Sequence, residues 1–126
     1  MQLTEHRPDG QYYIHSLTDD AIRIVDTPWR ESLLLTPQLA PTAWPVTEIG
    51  AVDRDAVAPI LELRPDVVLL ASGRQLAFPP REVQVAFLEA GIGLEVMTLE
   101  SAARTFNVLA SEERRVLAAL IWEPAN

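Results

Sequence analysis

The chain has 126 residues and a mass of 14.0 kDa, one domain's worth, with 48% hydrophobic and 22% charged residues. It contains no cysteine, and all ten basic residues are arginine, which excludes disulfide scaffolds, thiolate zinc sites, cysteine nucleophiles, Schiff-base chemistry and a Walker-type lysine. A net charge of −8 with a pI of 4.6 sets nucleic acid and anionic lipid at a long-range electrostatic disadvantage.

Residues 1–10 are polar, carry no apolar signal region, and are expected to be flexible. Tyr12–Leu17 is aromatic and β-branched, Thr18-Asp19-Asp20 supplies turn chemistry, and Ala21–Val25 resumes an extended pattern, so a β-hairpin is predicted. Ser32–Leu35 reads as a third short strand covered on both faces. Pro28, Pro37, Pro41 and Pro45 then forbid a long helix or central strand, leaving an irregular or edge segment anchored by Trp29 and Trp44.

From Asp53 the periodicity becomes helical. Asp53 or Asp55 caps a helix whose buried face holds Val57, Ile60 and Leu61; Pro59 is expected near its first turn, and Pro65 stops it. Asp66–Ala71 is a continuous apolar run suited to a central parallel strand. Pro79-Pro80 opens a helix with Val83, Ala86, Phe87 and Ala90 on one face and Gly91 as its stop. Leu94–Met97 is a further strand. Thr98 caps a helix facing inward through Leu99, Ala102, Ala103 and Phe106. Ser111 is expected to cap a last helix, buried through Val116, Leu117, Leu120 and Ile121, with Glu112 and Glu113 in its first turn. The alternation predicts a three-layer α/β single domain over 1–126: a mixed sheet with a parallel, right-handed βαβ core, packed helices and an N-terminal β-hairpin extension.

Two constellations could carry chemistry. Ala71-Ser72-Gly73-Arg74 ends a central strand, where open α/β sheets bind ligands; Gly73 allows close backbone approach and Arg74 could hold a carboxylate or phosphate. Met97-Thr98-Leu99 feeds a helix N-terminus, whose free N–H groups attract anions. If the two strands are neighbours, Ser72, Gly73, Arg74, Thr98, Arg104 and Asn107 form one ligand-binding set. The plainer alternative is a tight turn with an exposed Arg74, a well-capped helix, and Asn107 helping to end that helix.

His6 and His15 have no metal-ligand spacing, and no metal or cofactor is expected. Asp19-Asp20 and Asp53-Arg54-Asp55 read as a turn and a helix cap rather than paired catalytic acids. No serine sits in a nucleophile elbow, so no catalytic residue is assigned. Glu112-Glu113-Arg114-Arg115 reads as a solvated helix face.

The strings Gly91-Ile92-Gly93-Leu94-Glu95-Val96-Met97-Thr98 and Ala102-Ala103-Arg104-Thr105-Phe106-Asn107-Val108-Leu109 carry a resemblance, joined by Glu112, Arg114, Arg115, Val116, Ala118, Ala119 and Leu120. Together with Pro65–Leu70 and Phe78-Pro79-Pro80, they resemble the family of unknown biochemical activity that includes mitochondrial complex I assembly factor 3. The resemblance is strongest from Pro65 to Ile121. Departures from the family pattern are Ala71-Ser72-Gly73 for Gly-Thr-Gly, Phe106 for a tyrosine, and Glu113 for a glycine. The resemblance implies a compact three-layer α/β fold and a non-enzymatic assembly role through a protein partner. The expectation is therefore a cytoplasmic bacterial relative that binds a protein, without nucleic acid or direct membrane insertion. The alternative is a small enzyme or binding protein for an anionic metabolite at the strand ends.

Overall fold

Continuous apolar runs alternate with amphipathic ones through the second half of the chain, and this alternation builds the layers. The computed structural model describes Leu3 and residues 10–124. Its elements are β1 (Ile14–Leu17), β2 (Ile22–Ile24), β3 (Thr27–Trp29), β4 (Leu33–Leu35), β5 (Thr42–Ala43), a 3₁₀ turn (Ile49–Ala51), α1 (Arg54–Glu62), β6 (Val67–Ala71), α2 (Arg81–Ala90), β7 (Gly93–Met97), α3 (Leu99–Ser111) and β8 (Val116–Leu120).

The main sheet has the order β5-β4-β8-β6-β7. β6 is parallel to both β7 and β8, whereas β4 is antiparallel to β8 and β5. Side chains alternate across each central strand. Val67, Leu69 and Ala71 of β6, with Val116, Ala118 and Leu120 of β8, pack against α3 and the N-terminal strands. Val68 and Leu70, with Leu117, Ala119 and Ile121, pack against α1 and α2. The sheet is thus covered on both faces, which is why its middle strands read as unbroken apolar runs.

The local chemistry is mostly as expected. Asp53 caps α1, its carboxylate accepting the Ala56 N–H at 2.8 Å. Thr98 caps α3 by accepting the Ser101 N–H at 3.2 Å. Gly91 ends α2 with φ of 70°, a left-handed conformation that glycine adopts without strain. Trp44 is buried and donates its indole N–H to the Ala56 carbonyl at 2.9 Å, and Trp29 packs half-buried against the core.

Three expectations need correction. Val116–Leu120 is a central strand, not a helix: α3 runs through Ser111, and the chain reverses at Glu113, where φ is 62°. The run from Glu112 to Arg115 is therefore the α3–β8 turn, with Arg115 donating to the Leu63 carbonyl at 3.1 Å. Pro59 lies well inside α1, beyond its first turn. It sits on the exposed face, where the carbonyl that lost its helical donor can turn to water. The expected N-terminal hairpin is present as β1 and β2 and carries a third strand, the three forming an antiparallel sheet of their own. Pro28 is accommodated there because β3 is an edge strand. Finally, β4 is only partly covered on its second face, where Leu34 is half-buried.

The expected flexibility of residues 1–10 falls, apart from Leu3 and Gly10, outside the described residues, as does His6. Leu3 itself donates its N–H to the His15 carbonyl at 3.0 Å and packs against the core.

Candidate functional site

Parallel pairing of β6 with β7 brings the two sequence-predicted segments together at the carboxyl end of the sheet. Ser72 donates its N–H to the Met97 carbonyl at 2.9 Å, and the Gly73 carbonyl accepts the Leu99 N–H at 2.7 Å. Ser72, Gly73, Arg74 and Thr98 therefore share one corner. The Ser72 hydroxyl is buried, donates to the Gln75 carbonyl at 2.7 Å and accepts the Ala77 N–H at 3.1 Å. It pins the turn that leaves β6.

The N-terminus of α3 is largely satisfied from within. The Leu99, Ser101 and Ala102 N–H groups bond to the Gly73 carbonyl, Thr98 Oγ1 and the Thr98 carbonyl, respectively. The remaining first-turn N–H belongs to Glu100, whose carboxylate pairs with Arg104.

Arg74 ties three segments into a clasp. Its N–H donates to Glu123 Oε1 at 2.5 Å and its Nε to the Glu123 carbonyl at 3.1 Å. Its Nη2 reaches the Thr18 carbonyl at 3.1 Å, across the β1–β2 turn. The guanidinium also lies 4.9 Å from the centre of the Trp122 ring, within cation–π range. A cleft of about 550 Å³ opens beside this clasp, between Thr47-Glu48-Ile49 and Gln75.

Asn107 and Arg104 lie apart from the corner. Asn107 does not end α3; it sits within it, 4% exposed. Its side-chain amide pairs with both main-chain groups of Ile14, accepting the N–H at 3.0 Å and donating to the carbonyl at 2.8 Å. It acts as a substitute strand neighbour for β1. Arg104 is exposed and pairs with Glu100 at 3.2 Å, one helical turn away. His15 sits on β1 beside the Tyr13 ring.

A different surface is open. β7 is the outermost strand of the main sheet. Gly93 donates to the Asp66 carbonyl, and the Met97 carbonyl accepts from Ser72. Residues 93, 95 and 97 therefore direct their main-chain groups toward β6, so those of Leu94 and Val96 point outward. Alongside runs a groove of about 600 Å³ between β7 and α2, bordered by Phe78, Arg81, Gln84, Val85 and Leu88. Phe78 is 62% and Leu88 80% exposed.

The opposite edge is guarded: β5 has two residues and lies between Pro41 and Pro45. A larger cavity of about 760 Å³ lies at the other end of β6 and β7, walled by Glu62, Arg64, Glu89 and the ends of α1 and α2. Its lining carries charges of both signs. Sequence reading passed over Leu88, although an apolar residue beside Phe87 and outside the buried stripe of α2 was a signal that could have found it. Glu123 and Trp122, close to the C-terminus, offered no motif.

Comparison with known proteins agrees with this fold. A Bordetella parapertussis protein of known crystal structure superposes with a TM-score of 0.85 at 25% identity, covering 93% of this chain and 100% of its own. A Xanthomonas campestris protein solved by NMR superposes with a TM-score of 0.81 at 38% identity, covering 96% and 92%. The "13 kDa major membrane protein" of Francisella tularensis subsp. holarctica is 26% identical over 76 residues, 60% of this chain and 62% of its own length. An uncharacterised Rhodobacter capsulatus protein is 44% identical over 59 residues, 47% and 48%. The chain thus matches less than two thirds of the length of either curated relative. Among the described residues, no helix is long and apolar enough to cross a membrane. The family model described as "Protein of unknown function (DUF498/DUF598)" matches residues 14–121, and the chain belongs to that family.

Proposed function

We propose that this protein is a non-enzymatic interaction module that takes part in assembling a larger complex, in the manner of the complex I assembly factors its sequence resembles. The observation that carries this reading is the uncovered edge of β7 beside the apolar groove of α2. The occupant that fits is an extended segment of a partner protein. Its main chain would pair with the Leu94 and Val96 N–H and carbonyl groups, and its apolar side chains would enter the groove between Phe78 and Leu88. Main-chain pairing supplies affinity in such additions, and the side-chain pockets supply selectivity.

The protein acts from the cytoplasmic side and reaches membrane complexes through that partner. The name of the Francisella relative supports a membrane association. An indirect route suits this chain, since no described helix can span a bilayer.

Site-specific photo-cross-linking in the native host tests the reading. A cross-linker at position 88 should trap a discrete partner, whereas one at Thr27, exposed on β3, should not. Val96→Pro removes an outward N–H while sparing the ladder to β6, so it should abolish the adduct. Equal trapping from both positions, adducts between copies of this chain alone, or an adduct indifferent to Val96→Pro would each refute it.

A further inference from the structure

We propose that the Gly73–Arg74 corner is a binding site for a monocarboxylate, held shut in this structure by the chain's own Glu123. This inference is independent of the docking edge on β7. Gly73 has φ of 113°, a conformation open essentially to glycine alone, and a Cβ built there would lie 2.5 Å from Glu123 Oε1 and 2.9 Å from its Cδ. The missing side chain is the room in which the carboxylate sits. The Arg74 N–H points into that room and donates to Oε1 at 2.5 Å.

The Arg74 guanidinium holds the segment that delivers this carboxylate. It grips the Glu123 carbonyl at 3.1 Å and stacks 4.9 Å from the Trp122 ring centre. Turns that aim backbone N–H groups into a concavity are anion sites, and a cation in the same residue deepens the potential. The occupant is tethered at an exposed position after β8, so it can leave without breaking the sheet.

The adjoining cleft of about 550 Å³ supplies space for the body of a ligand. Glu48 also lines this cleft and sets the charge selectivity. A second negative charge would meet that carboxylate, so a monocarboxylate is favoured over phosphate. The carboxylate could be a small acid or the C-terminus of a peptide; the recognising chemistry is the same.

The test is an NMR titration of the full chain, following the Gly73 and Arg74 amides. The probes are acetate, a tetrapeptide with a free C-terminus, its C-terminally amidated form, and inorganic phosphate. A tethered carboxylate competes at an effective concentration of roughly millimolar, so for an intrinsic dissociation constant of about 0.1 mM Glu123→Ala should bind acetate about tenfold more tightly than the unaltered chain. Phosphate should not bind, and Gly73→Ala combined with Glu123→Ala should lose the response. Tighter binding of the free tetrapeptide than of acetate, lost on amidation, would identify a peptide terminus; binding of acetate at least as tight as that of the free tetrapeptide, with none by the amidated form, would identify a small acid, and binding of the amidated form equal to that of acetate would overturn the proposal. An absence of saturable shifts in a folded Glu123→Ala protein would overturn the proposal, as would affinity equal to that of the unaltered chain. If both Glu123→Ala and Glu123→Gln lose the folded spectrum, the segment is a structural brace and the proposal also fails.

Discussion

The strand-end corner and the α2–β7 groove are built on opposite plans. At the corner, polar groups face one another: the Ser72 hydroxyl, the Thr98 hydroxyl and the Arg74 guanidinium all bond to the chain's own atoms. Asn107, in the same helix as the Thr98 cap, is likewise spent on Ile14. In the groove, Phe78 and Leu88 project into solvent beside main-chain groups that no strand covers. The first region holds the fold together. The second contributes little to it and is available to another molecule. Polar residues at a promising place in the topology are thus no guide to a ligand until their bonds have been traced.

This contrast predicts that changes to the self-bonded polar groups of the corner and of α3 cost stability, while changes in the groove cost capture of a protein partner. The largest effect belongs to Asn107→Ala, which strands the buried N–H and carbonyl of Ile14. At about 1–3 kcal/mol for each unsatisfied group, urea unfolding should register a loss of about 2–6 kcal/mol. A loss below about 1 kcal/mol would mean that water or a backbone shift replaces the amide. Gly73→Ala comes next, at about 1–3 kcal/mol for a side chain held at positive φ, and more if Glu123 stays in place. Thr98→Ala should cost about 1 kcal/mol, the usual worth of a helix cap, measurable as a lower thermal midpoint. Leu88→Ser should change stability by no more than about 0.5 kcal/mol, because the side chain is exposed, yet it should weaken partner capture. A strongly destabilised Leu88→Ser protein would break the contrast, since it would make the groove part of the core.

Much of this architecture was legible in the sequence, and the exceptions have physical causes. The caps at Asp53 and Thr98, the stop at Gly91 and the buried run of β6 announced themselves through local chemistry. β8 did not. Val116, Leu117, Leu120 and Ile121 fall on one face of a helix as readily as they fill a buried strand, and the alanines between them favour the helical reading. Only the length of the apolar run, short for a helix, and the need for α3 to be followed by a strand argued the other way. Pro59 fits deeper in α1 than its missing N–H suggests, because the exposed face it occupies relieves the cost.

The neighbourhood of Ser72, Gly73, Arg74 and Thr98 followed from the parallel pairing of β6 and β7. The role of Asn107 could not follow from periodicity, because its partner, Ile14, lies 93 residues away. The same distance problem hid the clasp between Arg74 and Glu123, 49 residues apart.

The central claim is that a partner strand adds to β7, and residue-resolved amide hydrogen exchange tests it most directly. Free, the outward amides of Leu94 and Val96 should exchange quickly, while that of Glu95, directed at β6, should be protected. With the partner trapped at position 88 bound, Leu94 and Val96 should become protected and Glu95 should change little. Protection that leaves Leu94 and Val96 untouched, or that appears on β5 or the strand-end corner instead, would contradict the account.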